Sequence, residues 1–474
     1  MTAPARPLLP TLLGYALMLA AAAALYALIL RAGSSLAPPP LATHAAPPAA
    51  GAHASPLVAV LIALACVTLT ARAIGAVFER WLRQPPVLGE IVAGLLLGPS
   101  ALGAISPTAQ AMVIHPAAVP HLGMLSQVGV VLFMFVVGTE LDTKLLRRNP
   151  HGTVAISHAS IVAPFLLGAA TALWLHPRYG TRGVSFLVFS LFLGVSLSVT
   201  AFPVLARILT DRGLHRTALG ATALACAAVA DVTAWVMLAF VAGVARADLS
   251  GPARLLPWAL AYLVVMLVGV RPLVRRVSDA VERTGAPAGR GALSAAFVGL
   301  LLSAAATEAL GVHALFGAFL FGALLPRDGR LATDLRRALE DLVVVLFLPA
   351  FFAVTGLRTR IGLVAGWSDA FVCGLIVAVA TVGKFGGTLA AAKLTGHGWR
   401  DSVALGTLMN TRGLMELIVL NVGLDLGVIE PRLFAMLVIM ALVTTFATSP
   451  VLSLLLGRGE ATNEPLQAPA TARP

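Results

Sequence analysis

Long apolar runs, separated by short arginine-bearing loops, recur from Leu8 to Leu456, and they constrain the fold more than any motif does. The hydrocarbon core of a bilayer is about 30 Å thick, and a helix of about 20 apolar residues crosses it. Run length, loop charge and Gly/Pro punctuation divide the chain into about fourteen such segments. They are 8–31, 57–79, 86–103, 119–140, 152–177, 183–211, 217–245, 254–277, 290–309, 311–326, 333–356, 362–395, 401–424 and 431–456. Composition excludes the alternatives. With 58% hydrophobic and 11% charged residues the chain has too little polar surface for a soluble globule of 474 residues. Disorder needs low hydrophobicity instead.

The net charge of +12 would suggest nucleic acid on a soluble protein. Here most of the 33 Lys and Arg sit in loops, so the expected partner is the lipid bilayer and not nucleic acid. With the N-terminus cytoplasmic, the loops on that side collect most of them. Examples are Lys144, Arg147 and Arg148, then Arg271, Arg275, Arg276, Arg283 and Arg290, then Arg327, Arg330, Arg336 and Arg337. The bias predicts an even number of crossings with both termini inside. The expected location is a bacterial plasma membrane, as a multi-pass protein. Residues 1–56 read as an extra helix, or signal anchor, followed by a Pro/Ala-rich loop. Residues 457–474 read as a short cytoplasmic tail.

An internal repeat is visible. Gly89 to Pro99 (GEIVAGLLLGP) is echoed by Gly317 to Pro326 (GAFLFGALLP). Val131 to Asp142 (VLFMFVVGTELD) is echoed by Val345 to Leu357 (VLFLPAFFAVTGL), and Ser198 to Pro203 (SVTAFP) by Met409 to Gly413 (MNTRG). The matching stretches lie an odd number of spans apart, which reverses their direction in the membrane. The expected architecture is all-α: inverted repeats of about six helices each, 57–245 and 290–456, joined by a linker helix within 246–289.

Ionised groups are costly in hydrocarbon, so each one inside a span asks for a reason. Asp231 lies in the middle of an apolar run with no basic residue within a helical turn. A carboxylate there holds a proton or a metal cation, and hardly both. Lys384, central in another span, is its natural counter-ion; lysine, unlike arginine, can lose its proton when desolvated, so it is titrating or structural. Arg412 and Glu416 are four apart on one helix face and read as a buried pair. Arg207 can offset helix dipoles or pair with Glu140 or Glu416. Glu90 and Arg72 sit near helix ends, where long side chains snorkel. His158 and His313 read as hydrogen-bonded core residues, and Cys66, Cys226 and Cys373 as small hydrophobes.

Two spans carry break signals at matched repeat positions. Pro203 removes a donor and disfavours helix just before it, which frees carbonyls near Val199 and Thr200 beside the hydroxyls of Ser198 and Thr200. Asn410 and Thr411 compete with backbone bonding ahead of Gly413. Unwound backbone at membrane depth survives where it lines a cavity or is packed by protein, so the matched pair marks a site. No phosphate loop, Cys/His metal cluster, hydrolase elbow or dinucleotide fingerprint is present, which argues against an ATP-driven pump, a cofactor or an enzyme.

Leu88 to Gly103 (LGEIVAGLLLGPSALG), Ser198 to Leu209 (SVTAFPVLARIL), His313 to Gly322 (HALFGAFLFG) and Met409 to Leu420 (MNTRGLMELIVL) together resemble the monovalent cation/proton antiporters. The likeness is to the branch of plant cation/proton exchangers and bacterial potassium-efflux antiporters, and it spans nearly everything from 57 to 455. It implies a sodium/proton antiporter-like fold, a homodimer, a scaffold domain and a core domain that moves like an elevator. It implies an ion site where two discontinuous helices cross, exchanging potassium or sodium for protons. It sets Asp231 on the family's cation- and proton-binding aspartate, Thr200 on the break of the first crossing helix, and Lys384 on the basic residue facing the aspartate. Where relatives carry Asp, Asn or Gln just before the aspartate, this chain has Ala230, so one carboxylate serves both cargoes and exchange of one proton per cation is the simplest expectation. A gated cation channel, or a non-transporting receptor on the same fold, are the other readings.

Overall fold

In hydrocarbon every backbone N–H and C=O must find its partner within its own segment, which leaves the apolar runs one solution, the helix. The structure, a computed structural model, describes residues 8–36, 55–82, 84–140, 150–212, 214, 217–246, 252–310, 313–327 and 329–456. In chain order its α-helices are α1 (Leu8–Gly33), α2 (Pro56–Val77), α3 (Pro86–Leu97), α4 (Leu102–Ile105), α5 (Pro107–Val113), α6 (Val119–Glu140) and α7 (Pro150–Tyr179). There follow α8 (Phe186–Ser198), α9 (Phe202–Asp211), α10 (Ala218–Arg246), α11 (Pro252–Val264), α12 (Arg271–Thr284), α13 (Arg290–Ala309) and α14 (Ala314–Leu324). The last are α15 (Arg330–Leu342), α16 (Leu348–Arg358), α17 (Gly366–Leu394), α18 (Trp399–Met409), α19 (Leu414–Asp425) and α20 (Pro431–Leu456).

Every expected span is helical, and among the described residues the only β pairing is an isolated bridge between Gly180 and Ile429. Among the described residues, eleven helical stretches are long and apolar enough to cross a membrane. The remaining expected spans are α14, which is short, and the two broken ones, α8–α9 and α18–α19. Proline sets several starts by occupying the first turn, where its missing N–H costs nothing, as at Pro56, Pro86 and Pro107. The Pro/Ala-rich loop from 37 to 54, the loop from 141 to 149 and the tail from 457 lie outside the described residues.

The helices fall into two compact units, and neither is contiguous in sequence. The first takes Met1–Leu41, Thr143–Ala234 and Gly366–Pro474. In it α7 packs on α8 and on α17, and small residues set the approach: a Cβ on Gly383 would lie 2.7 Å from the Pro164 Cα, and one on Gly387 would lie 2.7 Å from the Ala159 carbonyl oxygen. Without a side chain at those two positions α17 can lie close on α7. Lys384, next to Gly383 on α17, is fully buried and reaches the end of α8.

The second unit takes Ala42–Asp142 and Trp235–Ala365. Here α3 packs on α2 and α16, and α6 on α14. The contacts are again between glycines and backbone: Gly94 against the Phe352 carbonyl, Gly356 against Gly94, Gly138 against the Phe319 carbonyl and Gly322 against that of Phe135. This unit also holds three π-helical stretches, Phe78–Leu82, Val265–Val270 and Val343–Phe347. A π turn frees a carbonyl from the i→i−4 ladder. Arg72 donates to the Val344 carbonyl at 3.2 Å. Arg72 thus stays exposed, as expected near a helix end, but Glu90 does not snorkel: it is buried, because Gly89 brings α3 onto Gly75 of α2.

Candidate functional site

Four helix ends meet in the first unit. Helix α8 stops at Ser198, Val199 takes an extended conformation, and α9 starts at Phe202. Helix α18 stops at Met409 and α19 starts at Leu414. The two breaks are stitched to each other: the Thr200 hydroxyl donates to the Met409 carbonyl at 3.2 Å, and the Ala201 N–H donates to the Thr411 carbonyl at 3.0 Å. Backbone groups freed by each interruption are therefore satisfied by the other. Gly413 keeps the contact tight, since a Cβ there would lie 2.7 Å from Val204.

A helix that ends inside the membrane leaves its last carbonyls without partners and a partial negative charge. At α8 two buried cations take them. Arg412 donates to the carbonyls of Ser196 at 3.0 Å and Leu197 at 2.7 Å, and Lys384 donates to the carbonyl of Ser198. Arg412 also holds Glu416 at 2.9 Å, and Glu416 lies in the first turn of α19, where an anion is favoured. Thr445 of α20 completes the cap: its hydroxyl accepts from the Arg412 N–H at 2.9 Å and lies 2.8 Å from the Arg412 carbonyl. All of Arg412, Glu416 and Lys384 are 0% exposed.

Asp231 enters from α10 and is 4% exposed. Its carboxylate accepts from the backbone N–H of Phe202, the first residue of α9, so the anion sits at a helix N-terminus. Its Oδ1 has no hydrogen-bond partner. Lys384 lies within electrostatic range of Asp231 and makes no direct ion pair with it among the described residues; its ammonium is committed to Ser198. The Ser198 hydroxyl lies 2.6 Å from the Gly194 carbonyl and 3.0 Å from that of Ile161. Other buried oxygens of the unit also lack partners: Asn410 Oδ1, Thr411 Oγ1, Ser196 Oγ and Glu416 Oε1.

The structure thus gathers Thr200, Asp231, Ser198, Lys384, Asn410, Thr411, Arg412 and Glu416 in one unit around the two breaks. The side chains of Pro203, Arg207 and Glu140 lie outside the described part, and so does any pairing of Arg207. Sequence reasoning did not single out Thr445 or the Phe202 N–H. A threonine in an apolar helix and a backbone amide carry no sequence signal for these roles. With all four ionisable side chains charged, the cluster of Asp231, Glu416, Lys384 and Arg412 is formally neutral.

Comparison with known proteins agrees with this architecture. Residues 60–457 match the family described as sodium/hydrogen exchanger, transmembrane. The chain is 42% identical over 383 residues to the Na(+)/H(+) antiporter NhaS4 of Synechocystis, covering 80% of this chain and 93% of that protein. It is 39% identical over 407 residues to the Cation/H(+) antiporter 17 of Arabidopsis thaliana, covering 84% of this chain and 48% of that one. It is 33% identical over 412 residues to the K(+)/H(+) antiporter 1 of Saccharomyces cerevisiae, covering 85% and 47%. The chain therefore spans nearly all of the cyanobacterial relative and about half the length of the plant and yeast ones. Among solved structures, the sodium proton antiporter MjNhaP1 of Methanocaldococcus jannaschii superimposes with a TM-score of 0.58 at 15% identity, covering 84% of this chain and 97% of that one, which speaks for the fold. A multi-pass helical chain with two mutually stitched helix breaks, matched by this family over most of its length, belongs to the sodium/hydrogen exchanger family, whose members are transmembrane transporters and not enzymes.

Proposed function

We propose that the protein exchanges a monovalent cation, potassium or sodium, for a proton, and that Asp231 carries both in turn. The observation behind this is a buried carboxylate with one oxygen unpartnered, held at the start of a broken helix. A bare carboxylate at that depth is costly, and either a proton or a cation relieves it. The Thr200 hydroxyl oxygen, the Asn410 amide oxygen and nearby carbonyls are the neutral ligands at hand; with a single carboxylate among them and two cationic side chains close by, the site suits one positive charge and not two.

Lys384 and Arg412 act as fixed charges that hold the end of α8, and Glu416 offsets Arg412. The charge count then favours one-for-one exchange. Cation-loaded and proton-loaded forms carry the same net charge, so the two half-cycles cancel electrically. In this reading the first unit moves as a body with Asp231 loaded and stalls when it is empty, because the uncompensated carboxylate resists crossing. The relatives named for Na(+)/H(+), cation/H(+) and K(+)/H(+) antiport support the reaction class. The family likeness suggests a homodimer, and loop charge suggests that both termini are cytoplasmic.

The test is exchange in proteoliposomes carrying a pH-sensitive dye, with potassium, sodium and lithium added in turn. Asp231→Asn is expected to abolish cation-driven proton movement while the protein elutes and unfolds like the parent. Cation flux without proton movement would indicate a channel, and normal exchange in Asp231→Asn would reject the assignment. Because proton and cation compete for one group, the apparent KM for the cation should rise as pH falls, approaching about tenfold per pH unit once protons dominate.

A further inference from the structure

Helix α10 carries Asp231, and the level at which α10 sits in the first unit decides where that carboxylate lies. Among the described residues, hydrogen bonds tie α10 to other helices at two places, Cys226 and Asp231. At Cys226 the partner is α7. The Ser157 hydroxyl donates to the Cys226 carbonyl at 2.9 Å, and the Cys226 thiol donates to the Thr153 carbonyl at 3.6 Å. Thr153 and Ser157 are four apart and share one face of α7. A carbonyl has two lone pairs, so Ser157 adds a bond at Cys226 without unwinding α10. Ser157 and Cys226 are both 0% exposed. At Asp231 the partner is the Phe202 N–H, at the start of α9. Asp231 follows Cys226 by five residues, a rise of about 7.5 Å and a turn of about 140°. One side of α10 is thus fastened to α7, while another presents the carboxylate to the break.

The same face of α7 also fixes the break. Ile161, one turn beyond Ser157, accepts from the Ser198 hydroxyl at 3.0 Å, and Ser198 is the last residue of α8. Phe202, whose N–H Asp231 uses, lies four residues past Ser198. Ser157 and Ile161 are about 6 Å apart along α7, and a hydrogen-bonded helical turn does not stretch. Helix α7 therefore works as a ruler that sets α10 and the end of α8 against each other. A cation is sensitive to that setting, because it needs several oxygens in place at once, and a loosely supported site loses its geometry first.

We propose that Ser157 is a positioning residue for the exchange at Asp231, a role that rests on that proposed exchange: by holding the Cys226 carbonyl it fixes Asp231 at the level of the broken helices where a cation can be bound. Ser157 acts through α10 and not on the cargo. Ser160 supplies the comparison. It is equally buried and stands three residues further along α7, but its hydroxyl goes to the Ser157 carbonyl of its own helix, at 2.7 Å.

The test is exchange in proteoliposomes, with KM and maximal rate measured for the cation that the parent carries. The parent is compared with Ser157→Ala, Ser157→Cys, Ser160→Ala and Asp231→Asn. Interhelical hydrogen bonds inside a membrane contribute little to stability, so the serine variants should unfold with the parent. Ser157→Ala should raise KM by about three- to tenfold, the worth of one hydrogen bond passed on to the site. Its maximal rate should stay within about twofold of the parent, as expected when binding alone is weakened. Ser157→Cys keeps a weak donor and should fall between the two. Ser160→Ala should keep the parent's KM. A parent-like KM in Ser157→Ala overturns the proposal. So does an equal rise in Ser160→Ala, which would be general loosening of α7, or a lost maximal rate with KM unchanged. Normal exchange in Asp231→Asn would reject the exchange reading and the role of Ser157 with it. A silent Asp231→Asn beside a parent-like Ser157→Ala rejects only the role of Ser157.

Discussion

Arg412 shows how much one side chain can organise. It closes three acceptors at once, the carbonyls of Ser196 and Leu197 and the carboxylate of Glu416, with nothing exposed to water. Breaking a buried pair by removing one partner costs about 3–5 kcal/mol, because the other charge stays buried and unpaired. Arg412→Met is therefore expected to lower thermal stability by that amount. The double variant Arg412→Met/Glu416→Met should recover part of the loss, and a strictly additive double would show that the two side chains are not coupled. Thr445→Val removes the hydroxyl that accepts from the Arg412 N–H and should cost about 1–3 kcal/mol, read as a shift in unfolding temperature. At this scale the sequence was only half legible. Intramembrane charges stand out in an apolar run, which is why Asp231, Lys384, Arg412 and Glu416 were visible at once. The Arg412–Glu416 pair was legible too, from its spacing of four, but the backbone partners were not: Lys384 reads as a counter-ion for Asp231, and its ammonium goes to the Ser198 carbonyl, 186 positions away in the chain. A carbonyl has no residue type to betray it. A clamp at the end of α7, where Tyr179 and Arg432 both donate to the buried Asp369, went unread as well, since its three residues come from separate helices far apart in the chain.

Elements were more legible, because hydrophobic run length and helix-breaking residues act locally. The two interruptions were foreshadowed by Pro203 and by Asn410, Thr411 and Gly413, and the structure breaks both helices there. The π-helical stretches were not foreshadowed, since they arise from how helices pack and carry no composition of their own. Close packing itself rests on glycine. In the second unit a Cβ on Gly356 would come within 2.0 Å of the Gly94 backbone, so α3 and α16 must separate to admit it. Gly356→Ala is expected to destabilise by about 1–3 kcal/mol, the usual cost of overpacking. Gly374→Ala, in α17, meets nothing within 4 Å and also gains helix propensity, so it should be neutral or stabilising by up to about 1 kcal/mol. Thermal unfolding of the two variants side by side checks the argument; equal effects would mean that the glycine contact does not hold α3 and α16 together.

For the whole molecule, the chain order hides the partition. Repeats read from the sequence are consecutive, whereas each compact unit draws on both halves of the chain, and α10 runs from one into the other at Ala234 and Trp235. All the residues assembled around the breaks, from Ser196 to Glu416, belong to the first unit. That grouping bears on stoichiometry. The buried cluster holds two acids and two bases, and under the proposed exchange, with Asp231 the one group that changes its cargo, swapping a proton for a monovalent cation leaves its charge unchanged. A membrane potential then has no net charge to act on over a full cycle. Moving one uncompensated charge across 100 mV is worth about 2.3 kcal/mol, roughly a fiftyfold bias in the gradient ratio at equilibrium. With potential clamped by an ionophore for an ion the protein does not carry, the steady cation and proton gradients should balance at a ratio that the imposed voltage does not shift. A fiftyfold displacement would mean that a second proton moves with each cation, and Glu416 and Lys384 would then be the groups to substitute next.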